Sequence, residues 1–443
     1  MIRRHFLRDC ISAAGVSVLS APWIASRSFA KSSPNEQFVA AVAGVRGRGN
    51  NLLETFASLP EVHVKYICDV DATVLQQRTE QTAQTTGRRP ESIKDFRRAL
   101  DDDQVDVLVL GTPDHWHALP TIMACQAGKD VYVEKPDGHN LLEGRTMVEA
   151  ARKHGRIVQL GTQSRSAKHL VTAMEYVRQG NLGKVHFAKA WENTKQGSIG
   201  HPPDSDPPEG VDYDLWLGPA PKRPFNVRRF HSSWRWFFDY GTGDLGNDGV
   251  HRLDYARWAL ETAIQAQGGE PLGWPRRVSA SGGKFYFDDD QEWPDTLQVT
   301  FEYPNSVLTY EMRVWAPYFY QDEPEGAAVY GDAGYIIIAN KRWRAFDSKG
   351  EKVAEDTGEP DTLAHAKNFL DCVRSRQKPA ADHETIGYVS SALCHLGNAA
   401  WRTGRSLRFD PERLAFIDDE EANRYLTRPE YRAPWLLPKL EDI

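Results

Sequence analysis

The sequence predicts an α/β domain built on a doubly wound parallel sheet, followed by an α+β domain with a large, mostly antiparallel open sheet. Three observations predict this. Short apolar runs alternate with helical patterns over residues 38–160, which is typical of parallel strands joined by right-handed crossovers. After residue 183, apolar runs follow one another through turns, which favours antiparallel pairing. The chain has 443 residues, and at roughly 100–200 residues per domain this length suits two domains.

The first domain is predicted over residues 37–162. Apolar runs predict strands over residues 38–45, 62–68, 105–110, 130–133 and 157–160. Helical spacing predicts helices over residues 50–59, 72–84, 93–100, 117–127 and 141–154. Ligands bind beyond the carboxyl ends of the strands in such a sheet, so we expect the functional residues there.

The second domain is predicted over residues 163–405, with a C-terminal extension over 406–443. Strands are predicted over residues 184–193, 277–287, 296–303, 306–315, 327–331 and 335–339. Helices are predicted over residues 170–179, 362–375 and 385–403, the last two packing back on the body of the protein. Residues 195–212 form a long polar loop, and loops of this length are usually functional or mobile.

Residues 1–30 are typical of a twin-arginine signal peptide. Arg3 and Arg4 precede a mildly apolar segment over residues 11–25, and Ser28-Phe29-Ala30 offers a small-x-small cleavage site. The alternative is an ordinary amphipathic N-terminal helix. The signal-peptide interpretation predicts a partnership with the twin-arginine export machinery and a periplasmic or otherwise exported protein.

Composition excludes several classes of partner. The formal net charge of −7 disfavours nucleic acid and anionic membrane surfaces. No apolar run approaches the about 20 residues that a membrane-spanning helix needs. The cysteines at positions 68, 125, 372 and 394 have no metal-ligand spacing, so we expect buried thiols and no metal site.

A glycine-rich motif, GVRGRG, follows the first strand at residues 44–49. It matches the dinucleotide fingerprint of a Rossmann domain at Gly44 and Gly49, but Arg46 replaces the middle glycine. Asp69 ends the second strand, where a carboxylate accepts hydrogen bonds from ribose hydroxyls and repels a 2′-phosphate. The motif therefore predicts NAD, with NADP less favoured, although Arg46 and Arg48 weaken that preference.

Polar residues also follow the later strands of the first domain. The predicted cofactor-binding residues are Gly44, Arg46, Gly47, Arg48, Gly49, Asp69, Thr112, Pro113, His117, Glu134, Lys135 and Gln163. Lys135 lies at the mouth of the predicted crevice, where a lysine can take part in deprotonating a substrate hydroxyl.

A second cluster follows an aromatic run in the second domain. Asn247 and His251 are four residues apart on a predicted helix, so they share a face, and Asp248 is three residues from His251. Flat aromatic side chains stack well on sugar C–H groups. The predicted substrate-binding residues are Trp234, Trp236, Tyr240 and Asp248. Core packing is the alternative for each aromatic residue, and a structural role is the alternative for His251.

The motifs together resemble the Gfo/Idh/MocA oxidoreductase family, which includes glucose–fructose oxidoreductase and inositol dehydrogenases. The resemblance covers about residues 37–405. It is carried by GVRGRG at 44–49, CDVD at 68–71, TPDHWH at 112–117, EKP at 134–136, GNLGKV at 180–185 and GDLGNDGVHRLD at 243–254.

This resemblance implies a nicotinamide-binding domain and a second domain whose open sheet forms subunit contacts, hence a homo-oligomer. It places Lys135 of the EKP motif in catalysis, with a cis bond before Pro136. The family also uses an Asp-x-x-x-His pair, but here Asn247 occupies the Asp position. An amide cannot take a proton as a carboxylate does, so the base role falls on His251, with Asn247 orienting substrate. The predicted catalytic residues are Lys135, His251, Asn247 and Asp248.

The sequence thus predicts an exported NAD(H)-dependent oxidoreductase that transfers hydride between a tightly held nicotinamide and a carbon of a sugar, polyol or glycoside. One alternative is a glycosidase that oxidises its sugar transiently, eliminates the aglycone, adds water and reduces the product again. Another is a sugar-binding protein that has the fold of an enzyme but no catalytic activity.

Overall fold

The computed structural model of the protein describes residues 37–316 and 318–443. The predicted signal peptide and residues 31–36 lie outside the described residues. Within the described ranges, none of the helices has both the length and the apolar character required to cross a membrane.

The first sheet has six parallel strands in the order β3-β2-β1-β4-β5-β6. They are β1 (Phe38–Ala43), β2 (Val62–Cys68), β3 (Glu91–Ile93), β4 (Val107–Leu110), β5 (Asp130–Val133) and β6 (Val158–Leu160). The crossover helices are α1 (Arg48–Ala57), α2 (Ala72–Thr86), α3 (Arg97–Leu100), α4 (Ala118–Gln126) and α5 (Leu141–His154). The strand order reverses between β1 and β4, and this switch point is where doubly wound sheets bind ligands.

The helix predicted over residues 93–100 is wrong in its first half. Ile93 ends the short edge strand β3 and pairs with Cys68, while only residues 97–100 are helical. The burial of Ile93, Phe96, Ala99 and Leu100 explains the error, because buried positions at this spacing imitate the face of one helix.

The second sheet has ten strands in the order β14-β13-β12-β11-β7-β10-β9-β8-β15-β16. They are β7 (Val185–Glu192), β8 (Arg277–Gly283), β9 (Thr296–Glu302), β10 (Val307–Arg313), β11 (Glu325–Gly331), β12 (Gly334–Ile338), β13 (Arg342–Asp347), β14 (Lys352–Thr357), β15 (Leu407–Asp410) and β16 (Ala415–Phe416). The neighbouring pairs are antiparallel except β7 with β10. The predicted fold class is confirmed.

Most of the remaining helices pack on the second sheet, but the helix over residues 362–375 packs beside α1 of the first domain. They are α6 (Lys168–Arg178), α7 (Tyr213–Leu217), α8 (Val250–Ala266), α9 (Thr362–Ser375), α10 (Tyr388–Thr403) and α11 (Glu420–Arg424). Strands β3, β13, β14, β15 and β16 are missing from the sequence prediction. Strand β14 is polar and largely exposed, so it presents no apolar run.

Late parts of the chain complete the core of the first sheet. In α9, Phe369 packs against Phe56 and Tyr132, with ring centroids 6.4 and 6.0 Å apart. Trp435 packs at 4.8 Å against Trp116, next to α4. The first sheet therefore depends on residues far beyond its own strands.

Candidate active site

A cavity of about 320 Å³ lies at the carboxyl ends of β1, β4 and β5, walled on the other side by the second domain. Ligand pockets usually span about 300–1,000 Å³, so this volume suits a small-molecule site. The predicted site residues that line it are Gly44, Arg46, Gly47, Arg48, Asp69, Thr112, Pro113, Glu134, Lys135, Trp234 and Asn247.

The β1–α1 turn presses its backbone against the end of β4. Gly44 has a φ of +76°, and a Cβ on it would lie 2.7 Å from the backbone nitrogen of Thr112. A Cβ on Gly49 would lie 1.6 Å from the carbonyl oxygen of Gly44. Only glycines fit these two positions. The turn thus brings bare backbone and the start of α1 to the cavity, which is the arrangement that binds a pyrophosphate.

Asp69 provides a carboxylate at the end of β2, on the cavity wall. Its Oδ2 accepts a hydrogen bond from the backbone N–H of Val45 at 2.9 Å, and its Oδ1 accepts one from Asp71 at 3.0 Å. Burial raises the pKa of the Asp69 carboxyl above its ordinary value, while these backbone donors oppose the shift. A fixed acceptor here suits the hydroxyls of an adenosine ribose, so the residues present fit a dinucleotide.

Replacing Asp69 with Asn should weaken NAD binding by at least about tenfold, or about 1.5–3 kcal/mol, because a charged hydrogen bond to ribose is lost. NADP binding should weaken less, since the repulsion of a 2′-phosphate is lost too. Fluorescence titration of both nucleotides measures the ratio, with the exposed Asp103→Asn as control. An unchanged NAD-to-NADP ratio contradicts the assignment.

Glu134 and Lys135 lie at the end of β5. Glu134 accepts a hydrogen bond from Arg48 Nε at 2.8 Å and is 5% exposed. A Cβ on Gly161 would lie 2.6 Å from Glu134 Oε1, so glycine leaves the room that this carboxylate needs. The bond between Lys135 and Pro136 is cis, as the resemblance implied.

Lys135 crosses from the first domain to the second. Its Nζ donates to the backbone oxygen of Asn247 at 2.6 Å and to Asn247 Oδ1 at 3.4 Å. Asn247 Nδ2 in turn donates to Asp248 Oδ2 at 2.8 Å, which orients the amide oxygen toward Lys135. Asp248 is absent from the cavity lining. It therefore acts on the site through Asn247.

His251 lies one turn beyond Asn247 and is 9% exposed. Its Nδ1 is buried and has no hydrogen-bond partner among the described residues. Burial and the positive charge of Lys135 hold the pKa of His251 well below its ordinary value, so the ring is neutral at neutral pH. Neutral imidazole is the form that accepts a proton. The structure brings Lys135 and His251 within electrostatic reach, although only Lys135 lines the cavity.

Several predicted residues lie behind the cavity wall instead of on it. His117 is 1% exposed, and its ring nitrogens contact the carbonyl oxygens of Pro136 at 2.6 Å and Thr112 at 2.8 Å. It supports the ends of β4 and β5 without reaching the cavity. Trp236 and Tyr240 are 3% and 0% exposed in the core of the second domain.

Gln163 begins the turn after β6 and is also absent from the lining. Gly49 is the second residue of α1, where the lack of a side chain leaves room for the carbonyl oxygen of Gly44. The cysteines predicted as buried thiols are buried and free. In the described part of the chain, no His, Cys, Asp or Glu cluster is arranged to hold a metal ion.

Sequence reasoning missed most of the wall that the second domain provides. The second-domain cavity residues that it did not name are Leu215, Trp216, His231, Ser232 and Arg235. Among the first-domain lining residues that it also missed are Lys94, Phe96 and Trp116. The nearest signal was the aromatic run over residues 230–240, which was interpreted as substrate-binding.

Asp244 was also missed. Its side chain is buried, and neither carboxyl oxygen has a partner among the described residues. Burial and the neighbouring carboxylates of Asp248 and Glu192 raise the pKa of Asp244 well above its ordinary value. A buried carboxyl group with a raised pKa therefore lies close to Asp248.

Comparison with known proteins agrees with this geometry. Residues 38–162 match the Gfo/Idh/MocA description "Oxidoreductase family, NAD-binding Rossmann fold". Residues 183–267 and 318–437 match the description "Oxidoreductase family, C-terminal alpha/beta domain" of the same family. The chain belongs to the Gfo/Idh/MocA oxidoreductase family. Its Rossmann domain is an NAD-binding domain.

Two curated proteins that are similar to this chain are named for different kinds of reaction. A glycosyl hydrolase family 109 protein of Shewanella pealeana is 26% identical over 209 residues, which is 42% of this chain and 45% of the relative. A levoglucosan dehydrogenase of Pseudarthrobacter phenanthrenivorans is 24% identical over 215 residues, which is 45% of this chain and 48% of the relative. The chain thus spans slightly less than half the length of each.

Two solved Gfo/Idh/MocA-like structures show the same fold across most of the chain. Aldose-aldose oxidoreductase of Caulobacter crescentus, complexed with glycerol, is 19% identical with a TM-score of 0.63, covering 84% of this chain and 100% of its own. The WlbA dehydrogenase of Bordetella pertussis, complexed with NADH and UDP-GlcNAcA, is 18% identical with a TM-score of 0.62, covering 85% and 99%.

Proposed function

We propose that the protein is an enzyme that transfers hydride between NAD and a hydroxyl-bearing carbon of a sugar, polyol or glycoside. One observation carries the proposal: Lys135, at the end of β5, is held by Asn247 in the wall of the NAD cavity. This places a proton-transfer group from one domain against an orienting amide from the other.

Bound NAD supplies the hydride acceptor for this chemistry. Lys135 Nζ donates a hydrogen bond to the reacting hydroxyl oxygen, and Asn247 orients the substrate. His251 is neutral and does not line the cavity, so it receives the proton by way of Lys135, whose ammonium passes one proton on as the hydroxyl loses its own. Hydride loss from the carbon and proton loss from the hydroxyl together give a ketone or aldehyde, and the reverse reaction returns both.

The test begins with the purified mature protein. Acid release and chromatography should show bound nicotinamide nucleotide, and a panel of sugars, polyols and glycosides should then change the absorbance of NADH. A folded protein that contains no nucleotide and binds neither NAD nor NADP contradicts the proposal.

The second candidate is the redox-cycling glycosidase. Similarity to a glycosyl hydrolase family 109 protein favours it, as does the amide at the family's Asp position. Such an enzyme releases free sugar from a glycoside without a second redox substrate. It also leaves solvent deuterium on the carbon next to the oxidised one, whereas a simple dehydrogenase does neither. Sugar binding without either reaction would favour the non-catalytic alternative.

We also propose export through the twin-arginine machinery to the periplasm or beyond. The sequence over residues 1–30 supports this proposal. Replacing Arg3 and Arg4 together with Lys should retain the protein in the cytoplasmic fraction of a Gram-negative host. The wild type should appear in the periplasmic fraction, and equal fractionation of the two proteins contradicts export by this route.

A homo-oligomer formed through the outer face of the second sheet is proposed as well. This face carries a row of aromatic rings, with Tyr335 stacked on Phe346 at 4.8 Å and on Tyr330 at 5.7 Å. Replacing Tyr335 with Glu should reduce the mass measured by light scattering to that of a monomer, because a charge is buried in the interface. Tyr286→Glu, at an aromatic side chain that is 61% exposed, is the matched control and should leave the mass unchanged.

A further inference from the structure

The cavity has a second wall, of which the sequence predicts only Trp234. Residues 208–236 of the second domain, here called the cover, contribute Leu215, Trp216 and His231 to it. These side chains share the cavity with Asp69 and Trp116 of the first domain. Asp69 lies in this half of the cavity. Its carboxylate suits the ribose hydroxyls of adenosine, so we expect the adenosine end of NAD to bind here.

One side of the cover is tied to the chain just after β2. Asp212 donates its backbone N–H to the Val70 oxygen at 2.9 Å, and Ala72 donates to the Gly210 oxygen at 3.2 Å. His231 Nε2 lies 3.2 Å from Asp71 Oδ2. The cover is therefore attached directly beside Asp69.

The other side of the cover is tied to the loop after β4. The Trp216 carbonyl oxygen accepts hydrogen bonds from Trp116 Nε1 and His115 Nε2, both at 2.9 Å. Burial lowers the pKa of His115 to about 3, so this ring is neutral. The cover thus joins the segments that follow β2 and β4, the two strands that flank β1 in the first sheet.

A late segment holds the cover from outside. Arg432 donates from Nε to the Gly218 oxygen at 2.9 Å and from Nη1 to Asp214 Oδ1 at 2.7 Å. A Cβ on Gly218 would lie 2.2 Å from the Trp116 ring, so the contact beneath is close. Arg432 is absent from the cavity lining. Replacing Arg432 therefore loosens the cover without changing a side chain of the cavity wall.

We infer that the cover is the second half of the NAD site and that it retains NAD from one turnover to the next, with His231 as a cofactor-binding residue. The inference rests on the proposed function, because it concerns the same site. The inference limits the proposed reaction to those in which NAD stays bound while it is reduced and then reoxidised. The oxidant is a second substrate or the product of the first half-reaction.

The test is the rate at which purified holoprotein releases NAD, followed by chromatography of the nucleotide after gel filtration. Wild type should retain its NAD through the column. Arg432→Ala and His231→Ala should release it at least about tenfold faster, which is the equivalent of about 1.4 kcal/mol. Arg413→Ala, at a side chain that is 84% exposed, should behave as wild type.

The outcomes separate the two proposals. If wild type binds NAD but releases it as fast as the Arg432→Ala protein does, the inference about the cover is wrong and the proposed function is unaffected. Protein that binds no NAD overturns the proposed function as well. If Arg432→Ala does not fold, hydrogen exchange of wild type replaces it: slower exchange at the amides of Asp212 and Ala72 with NAD bound supports the inference, and equal exchange with and without NAD overturns it.

Discussion

Replacing Lys135 with Met should lower kcat about 10²–10⁴-fold while the protein still folds and binds NAD. This range is what a positioned proton-transfer group contributes. Met keeps the length and apolar stem of the side chain but removes the ammonium that contacts Asn247 at 2.6 Å. The measurement is single-turnover formation of NADH from a substrate that wild type accepts, together with the nucleotide content of each protein.

Two further variants make this prediction specific. Lys153→Met changes an exposed lysine in the last turn of α5 and should leave kcat unchanged. Asp248→Asn should reduce kcat less than Lys135→Met, because Asp248 reaches the site only through the Asn247 amide. If the Lys135→Met protein turned over at the wild-type rate, the proposed role of Lys135 in catalysis would be wrong, while the description of the fold would not change.

Replacing Asp254 with Asn should lower the free energy of unfolding by about 3–5 kcal/mol, the usual loss when one partner of a buried ion pair is removed. Asp254 accepts two hydrogen bonds from Arg165, each 2.8 Å long, and a third from Ser390 at 2.6 Å. Arg165 and Asp254 are 6% and 1% exposed. The variant leaves a buried guanidinium without a counter-charge.

Urea unfolding measures this loss directly. The control is Lys341→Ala, which breaks the pair between Lys341 and Glu359, whose side chains are 70% and 68% exposed. That change should leave the unfolding midpoint where it is, since exposed ion pairs contribute little. An Asp254→Asn protein with the wild-type midpoint would show that the buried pair does not stabilise the fold.

The fold was predictable because its signals are local. Alternating apolar runs and helical patterns located most strands and helices within a few residues. The first half of the site was predictable for the same reason: Gly44, Asp69 and Lys135 each follow a strand, and strand ends converge at one edge of a parallel sheet.

The second half of the site was not predictable, because nothing local indicates which way a loop side chain faces. Trp234 lines the cavity, whereas Trp236, two residues later, is buried in the core. His117 has the residue type and position of a pocket histidine, but backbone carbonyls occupy both of its ring nitrogens. Such contacts join residues remote in sequence, and only the folded chain reveals them.

Phe369 and Trp435, which complete the core of the first sheet, have a consequence for biogenesis. A nascent chain that has emerged only as far as residue 162 exposes the apolar surface that Phe369 and Trp435 cover in the folded protein. Such a surface would bind chaperones or cause aggregation. The core of the first sheet can therefore be completed only after the carboxy-terminal half has been synthesised. We therefore expect the first domain, when it is excised for biochemical work, to be less soluble than the full chain.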